Sequence, residues 1–219
     1  MNLIIIDYGS GNLKSVENAF LNSIKENNLR YNIKVTNDLN AIIDADYLVL
    51  PGFGSFTDCK RGLKKKGGLI EVLHEQVIYK KKNFLGICVG MQLMFDYSLE
   101  KTTTTGFGWL SGNFDKIRIN GLDYLGRSFK IPHMGWNNLK LENTNHPLLK
   151  NISEKDHYYF VHSYYLNTDE KSEVYANTYY SHKIPAVIAR DNYVGVQFHP
   201  EKSSYSGQKL ISNWLNWIL

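Results

Sequence analysis

The amino-acid sequence predicts an α/β fold with a largely parallel central sheet, helices on both faces and a strand-rich second half. Short apolar runs alternate with amphipathic helical patterns through the first half, an order that is typical of parallel sheets. The second half carries aromatic and β-branched segments between polar turns. With 219 residues and a hydrophobic fraction of 43%, residues 1–219 are expected to form a single domain with a sizeable core.

In the first half, short apolar runs predict buried strands at residues 3–6, 33–35, 47–50 and 84–87. Helices are predicted between these strands, because apolar side chains recur there at helical spacing. Their apolar stripes are Leu13, Val16, Ala19, Phe20 and Ile24; Ile42 and Ile43; and Leu69, Val72, Leu73 and Val77. Residues 91–95 are predicted to open a further helix.

The second half is predicted to hold strands at residues 158–165, 174–180, 186–189 and 193–198. Each is rich in aromatic and β-branched residues and is bounded by a polar turn. A closing helix is predicted from its apolar face, which comprises Leu210, Ile211, Trp214, Leu215 and Ile218.

Composition argues against several classes of protein. The net charge of +4 is small, and the two lysine runs at residues 64–66 and 80–82 are typical of solvated helix ends, so we expect no nucleic-acid partner. No apolar stretch approaches the roughly 18 residues of a membrane span, and the N-terminus lacks a signal-peptide pattern. A cytoplasmic protein without membrane contact is expected.

The two cysteines, Cys59 and Cys88, lie in unlike contexts, and neither belongs to a zinc-ligand pattern. A disulfide is not expected in the cytoplasm, and no motif implies a metal or another cofactor. Cys59 lies in a helical stretch next to basic residues, so it is interpreted as a structural residue whose pKa those neighbours lower.

The sharpest local signal is Gly86-Ile87-Cys88-Val89-Gly90, between a predicted strand and a predicted helix. A nucleophile on such a tight turn is lifted clear of the sheet, and the helix N-terminus behind it favours a thiolate. Glycines on either side let the chain bend. The alternative is a small buried cysteine between structural glycines.

A nucleophilic thiol needs a base, and His199-Pro200-Glu201 follows the predicted strand at residues 193–198. The extended geometry that proline favours can turn both side chains toward one site, where the carboxylate would orient the imidazole. The alternative is a surface histidine near a helix start, with Glu201 complementing the helix dipole.

Together, residues 86–92 and 197–203 resemble the nucleophile and His-Glu motifs of class I glutamine amidotransferases. Further phrases make the whole chain similar to one branch, the HisH family of glutaminase subunits of imidazole glycerol phosphate synthase. These phrases are Asp7-Tyr8-Gly9-Ser10-Gly11-Asn12-Leu13, Pro51-Gly52-Phe53-Gly54-Ser55-Phe56, Pro132-His133-Met134-Gly135-Trp136-Asn137 and Tyr159-Phe160-Val161-His162-Ser163-Tyr164.

The resemblance implies a flavodoxin-like domain that hydrolyses glutamine through a thioester on Cys88, with His199 as acid and base and Glu201 holding it. It also implies an oxyanion hole made by the backbone N–H groups of Val89 and of the Phe53-Gly54 region. Gly52 and Gln92 match the family's substrate-binding positions. The family usually has valine where this chain has Phe53, and the bulkier ring is expected to alter basal turnover more than stimulated turnover.

The resemblance further implies a heterodimer with the cyclase subunit HisF, to which ammonia would pass during histidine biosynthesis. The positions that match the family's surface for this partner are Asn12, His133, Met134, Trp136, His162, Tyr164 and Lys202. Core packing is the alternative for Trp136 and Tyr164, and a satisfied buried histidine for His133 and His162.

Three other functions remain open at the level of sequence. The same glutaminase chemistry could serve amidino-sugar synthesis in a surface-glycan pathway. A thiol hydrolase acting alone would accept peptides and need no partner. A non-catalytic regulatory subunit is the third alternative, and the presence of Cys88, His199 and Glu201 argues against it.

Overall fold

A computed structural model of the protein describes residues 1–122 and 126–217. The α-helices in these ranges are α1 (Leu13–Glu26), α2 (Leu39–Ile43), α3 (Phe56–Lys64), α4 (Leu69–His74), α5 (Val89–Gln92) and α6 (Ser204–Leu215). The strands are β1 (Asn2–Ile6), β2 (Asn32–Thr36), β3 (Tyr47–Gly52), β4 (Asn83–Cys88), β5 (Phe95–Ser98), β6 (Thr104–Thr105), β7 (Leu110–Lys116), β8 (His133–Asn138), β9 (Lys140–Leu141), β10 (His157–His162), β11 (Tyr164–Asn167), β12 (Val174–Tyr180), β13 (His182–Arg190) and β14 (Tyr193–Val196).

The central sheet of the described chain is mixed, with the strand order β2-β1-β3-β4-β14-β13-β12-β9. Strands β2, β1, β3, β4 and β14 run parallel, and the remaining pairs are antiparallel. Every residue of β3 and β4 is buried, so both faces of the sheet are covered. The α/β class and the parallel centre predicted from the sequence are therefore confirmed.

Helices α1 and α6 pack together against the sheet through large aromatic side chains. The Trp214 ring meets the Phe20 ring edge-on at 5.8 Å between centroids, and the Tyr47 ring at 5.2 Å. Asn12 caps α1 by accepting the backbone N–H of Ser15. The loop between β1 and α1 is thereby fixed over the carboxyl edge of the sheet, where parallel α/β folds place their ligands.

Two smaller sheets lie outside the central one. Strands β8 and β10 form an antiparallel pair, and the other sheet has the order β11-β7-β5-β6. None of the strands β5 to β9 was predicted from the sequence. No helix in the described ranges is long and apolar enough to span a membrane.

Most predicted elements match the structure, and two need correction. The helix predicted to open at residues 91–95 is wrong, because α5 ends at Gln92 and Phe95 begins β5. The strand predicted at 158–165 is two strands, β10 and β11, which pair in different sheets. The apolar face predicted for the closing helix is confirmed at Leu210, Ile211, Trp214 and Leu215, which are buried in α6. Ile218 lies outside the described residues.

The turn from β4 into α5 is packed against β3 without room for side chains at its glycines. A Cβ added to Gly90 would lie 1.9 Å from the carbonyl oxygen of Leu50, and one on Gly86 would lie 2.7 Å from the carbonyl oxygen of Gly90. A Cβ added to Gly52 would lie 2.5 Å from the backbone nitrogen of Gly90. These glycines are required for close approach, whereas bending was the reason expected from the sequence for Gly86 and Gly90.

We expect Gly90→Ala to destabilise the protein by about 1–3 kcal/mol or more, because the added methyl group would displace the backbone of β3. Gly67→Ala is the matched control, since a Cβ there meets nothing within 4 Å, and its effect should stay within about 0.5 kcal/mol. Urea unfolding of both variants measures the difference. Equal stabilities would contradict the close packing of the turn.

Candidate active site

Cys88 occupies the turn between β4 and α5 in a strained backbone conformation. Its φ is 54° and its ψ is −110°, values that a non-glycine residue adopts only when its surroundings impose them. The residue is 4% exposed. The turn, held by the glycine packing against β3, places the sulfur above the carboxyl edge of the sheet, as the sequence predicted for a nucleophile.

His199 and Glu201 lie beside this turn because β14 is the parallel neighbour of β4. His199 follows the end of β14 and precedes a 3₁₀ turn at Pro200–Lys202. Its Nδ1 is 2.8 Å from Oε1 of Glu201, and both side chains are almost wholly buried. The carboxylate therefore fixes the Nδ1 tautomer and leaves Nε2 for the sulfur side of the ring.

The charge state of His199 follows from these neighbours. Burial disfavours the imidazolium, but the Cys88 sulfur and the Glu201 carboxylate outweigh burial and raise the pKa of His199 to about 10. Nε2 is buried and makes no hydrogen bond of ordinary geometry within the described chain. A buried ring nitrogen next to a thiol, with no other partner, is ready to exchange a proton with a reacting group.

Two glutamine side chains complete the floor of the site. Nε2 of Gln92 donates to Oε1 of Gln197 at 3.1 Å, and Nε2 of Gln197 approaches the Cys88 sulfur at 3.7 Å. Gln92 is one of the predicted binding residues. Gln197 belongs to the motif recognised in the sequence, but no role was predicted for it, because the motif does not show where its side chain points.

The Phe53 peptide is turned toward the loop between β1 and α1. Its N–H donates to the Ser10 hydroxyl at 3.3 Å, and its carbonyl accepts that hydroxyl's proton at 2.7 Å. Gly54 has a φ of +94°, which only glycine adopts without strain. One of the backbone donors predicted for an oxyanion hole is therefore engaged by Ser10 in this structure.

Cys59 lies beneath the same peptide. Its thiol is 3.4 Å from the Phe53 carbonyl and 3.3 Å from the Ser10 hydroxyl, and the residue is fully buried. Burial raises the pKa of Cys59. The prediction that its basic neighbours lower this pKa is wrong, because the sulfur points into the core rather than toward them.

A cavity of about 220 Å³ opens over the sulfur, lined among others by Phe53, Cys88, Gln92 and Tyr164. Glu100 also lines it, and its carboxylate accepts the backbone N–H of Phe56 at 2.7 Å. A carboxylate in the lining of a small cavity can bind an ammonium group. No sequence signal indicated this position, since Glu100 lies in a polar loop far from both motifs.

Beside the cavity, Phe53, Met134, Trp136 and Lys202 form a partly exposed surface that we call the apolar rim. The first three are 56%, 65% and 55% exposed, and the Lys202 ammonium lies 5.8 Å from the Phe53 ring centre. The alternative that Trp136 is a core residue is wrong. Tyr164 is half-buried in the cavity wall, and Asn12 is exposed at the start of α1.

His133 and His162 were expected on the same surface, and the structure places them beneath it. They are 3% and 5% exposed and lie opposite each other on β8 and β10. Alternation along β8 turns Met134 and Trp136 outward and His133 inward, where its ring stacks on Phe160. The alternative of satisfied buried histidines holds.

The hydrogen bonds of this pair fix both tautomers. Nδ1 of His162 lies 2.8 Å from the Tyr164 carbonyl, which can only accept, so Nε2 of His162 accepts from Nδ1 of His133 at 3.0 Å. The remaining His133 nitrogen then accepts from Asn137. Burial above all lowers the pKa of His133 to about 3 and that of His162 to about 4, so both rings are neutral.

Within residues 1–122 and 126–217, no group of three or more His, Cys, Asp and Glu side chains is arranged to hold a metal ion. The reactive groups that the site brings together are the Cys88 thiol, the His199 imidazole and the Glu201 carboxylate.

Comparison with solved structures shows the fold. A crystal structure described as a glutamine amidotransferase superposes with a TM-score of 0.69 at 14% identity, over 97% of this chain and 96% of that one. A protein from Thermoplasma acidophilum, described as a putative component of GMP synthase, gives a TM-score of 0.64 at 14% identity, over 98% and 92% of the two chains.

Sequence comparisons show the family. The family profile described as "Glutamine amidotransferase class-I" matches residues 4–217. Imidazole glycerol phosphate synthase subunit HisH of Brucella abortus (strain 2308) is 44% identical over 220 residues, covering 99% of both chains. The protein of the same name from Pelagibacter ubique is 44% identical over 216 residues, covering 99% of this chain and all of its own. The chain therefore belongs to the class I glutamine amidotransferase family and, within it, to the HisH subunits of imidazole glycerol phosphate synthase.

Proposed function

We propose that this chain hydrolyses glutamine to glutamate and ammonia through a thioester on Cys88 and passes the ammonia to a HisF cyclase subunit. The cyclase would use it to make imidazole glycerol phosphate and AICAR in histidine biosynthesis. The observation that carries the proposal is the buried contact between Cys88 and His199, in which the sulfur and the Glu201 carboxylate raise the pKa of His199 to about 10, so that the ring can hold the proton of the thiol.

The steps follow from that pair. The thiolate attacks the carboxamide carbon of glutamine, and the carbonyl oxygen becomes an oxyanion. The C–N bond then breaks, and the imidazolium of His199 gives its proton to the departing nitrogen, which leaves as ammonia. Neutral His199 next removes a proton from water, whose oxygen attacks the thioester. The C–S bond breaks, glutamate departs and the ion pair is restored, with Glu201 holding the ring throughout.

Binding is assigned to groups that line the cavity or, in the case of Gly52, lie next to its lining residues in sequence. We assign the substrate's ammonium to Glu100, and its side-chain amide to the region of Gly52 and Gln92. The oxyanion would be stabilised by the backbone N–H groups of Val89 and of the Phe53-Gly54 segment. For the Phe53 N–H this requires release from Ser10, which supports a low rate in the resting state.

The apolar rim is assigned to HisF docking. Large exposed apolar side chains next to a catalytic cavity are typical of partner surfaces, and Trp136 is a suitable anchor. Covering the rim would close the cavity and keep ammonia from water. We place the resulting heterodimer in the cytoplasm and treat residues 1–219 as one catalytic domain. The amidino-sugar alternative gains no support, because the full-length relatives are named as synthase subunits.

The proposal is tested by measuring glutamate release from glutamine. The expected rate is low for the protein alone, higher with HisF, and highest with HisF and its nucleotide substrate, PRFAR. Cys88→Ala should abolish glutamate release in all three conditions, because the thioester forms on the Cys88 sulfur. Release from Cys88→Ala would contradict the thioester. A Cys88-dependent rate of glutamate release that is the same with and without HisF and nucleotide would contradict the assignment to this pathway.

We expect Ser10→Ala to raise the basal rate of glutamate release by about tenfold or more, up to a limit of about 10²–10³, which is the contribution of one oxyanion donor. Removal of the hydroxyl frees the Phe53 N–H, whereas the rate with HisF and nucleotide should change little. Ser206→Ala is the control, since that hydroxyl makes no hydrogen bond within the described chain. An unchanged or lower basal rate in Ser10→Ala would show that Ser10 does not restrain the Phe53 peptide.

A further inference from the structure

His199 lies beyond the hydrogen-bonded end of β14, so the sheet alone does not fix its position. Strand β14 ends at Val196. The backbone of His199 is instead bridged to β10, where its N–H donates to the Tyr159 carbonyl at 2.9 Å. The catalytic imidazole therefore depends on a strand of a different sheet for its placement.

The Ser203 hydroxyl completes this bridge. It donates to the His199 carbonyl at 2.6 Å and accepts the Tyr159 N–H at 2.9 Å. Ser203 is fully buried, so water cannot take over either bond without entering the core. One small side chain thus joins the backbone of the catalytic histidine to β10, using both its donor and an acceptor.

Strand β10 also contacts the exposed apolar rim. Tyr159 is the cross-strand partner of Trp136 in the β8–β10 pair, and their rings meet edge-on with centroids 6.1 Å apart. Trp136 belongs to the exposed apolar rim. The structure therefore places Ser203 at the junction between the surface that we assign to docking and the catalytic imidazole.

We propose that Ser203 is a positioning residue, which holds the His199 ring against the Cys88 sulfur by fixing its backbone to β10. Ser203 contacts neither sulfur nor substrate, and it acts through His199. The proposal rests on the proposed function, because it concerns the same reaction. Loss of the hydroxyl leaves the Tyr159 N–H buried without a partner and releases one of the bonds to the His199 carbonyl.

The test compares Ser203→Ala, Ser203→Thr and Ser206→Ala in the complex with HisF and nucleotide. Ser203→Ala is expected to lower kcat about 10- to 100-fold with little change in the KM for glutamine, since a displacement of about 1 Å has effects of this size. Ser203→Thr keeps the hydroxyl and should recover most of kcat. Ser206→Ala should match the wild type.

A second readout separates positioning from general damage. The pH dependence of Cys88 alkylation by iodoacetamide reports the thiolate–imidazolium pair without any turnover. Ser203→Ala should move its midpoint to higher pH, because the imidazolium no longer faces the sulfur, while Ser203→Thr keeps the wild-type midpoint. If Ser203→Ala does not fold, Ser203→Cys, with a longer and weaker donor, should show a smaller shift in the same direction.

The outcomes are decisive in both directions. A wild-type kcat and alkylation midpoint in folded Ser203→Ala or Ser203→Cys would overturn the proposal. A loss of kcat that Ser203→Thr shares equally, with an unchanged midpoint, would reduce Ser203 to a packing role. Because alkylation needs no glutamine, a wild-type protein without glutaminase activity would contradict the proposed function and leave this test intact.

Discussion

The site depends on a buried contact between a sulfur and an imidazole that lie more than a hundred residues apart in sequence. Parallel pairing of β4 with β14 sets this contact, with Gly86 opposite Gly195 and Ile87 opposite Val196. Both strands end at the same edge, so Cys88, the last residue of β4, and His199, which follows β14, come together there. A shift of register by one residue would turn these side chains to other faces and separate the two groups.

Burial strengthens the attraction between the sulfur and the imidazole, and it makes the loss of either group costly. In a medium of low polarizability a thiolate and an imidazolium stabilise each other more strongly than in water, and each is costly without the other. Removing one partner of a buried ion pair costs about 3–5 kcal/mol in proteins generally. The hydrogen bond that the His199 ring donates to Glu201 and the approach of Gln197 to the sulfur reduce that cost here. The two neutral histidines nearby do not compete for the proton.

Much of the site was predictable, because its central residues follow recognisable apolar strands. The strands before Cys88 and His199 are read from short apolar runs, and the carboxyl edge of a parallel sheet is where such residues meet. The two motifs flanking those strands also indicated the family, which the comparisons confirm.

The remaining features arise from long-range contacts that local sequence does not encode. Strands β5 to β9 are short or polar and are stabilised by their partners rather than by their own pattern. Ser10 and Ser203 are ordinary serines in sequence, and their roles appear only when distant backbone groups reach them. The inward turn of His133 is likewise set by the pairing of β8 with β10, which places it one residue out of phase with Met134.

The sulfur–imidazole pair is tested most directly by the pKa of His199, measured by NMR on labelled imidazole rings in the wild type, Cys88→Ala and Cys59→Ala. The wild-type ring is expected to titrate at about 10, held there against burial by the sulfur and Glu201. Cys88→Ala should lower this pKa, because it removes the strongest of the groups that raise it, whereas Cys59→Ala should leave it unchanged. A wild-type pKa near the ordinary value of about 6.5, or one unmoved in Cys88→Ala, would contradict the pair.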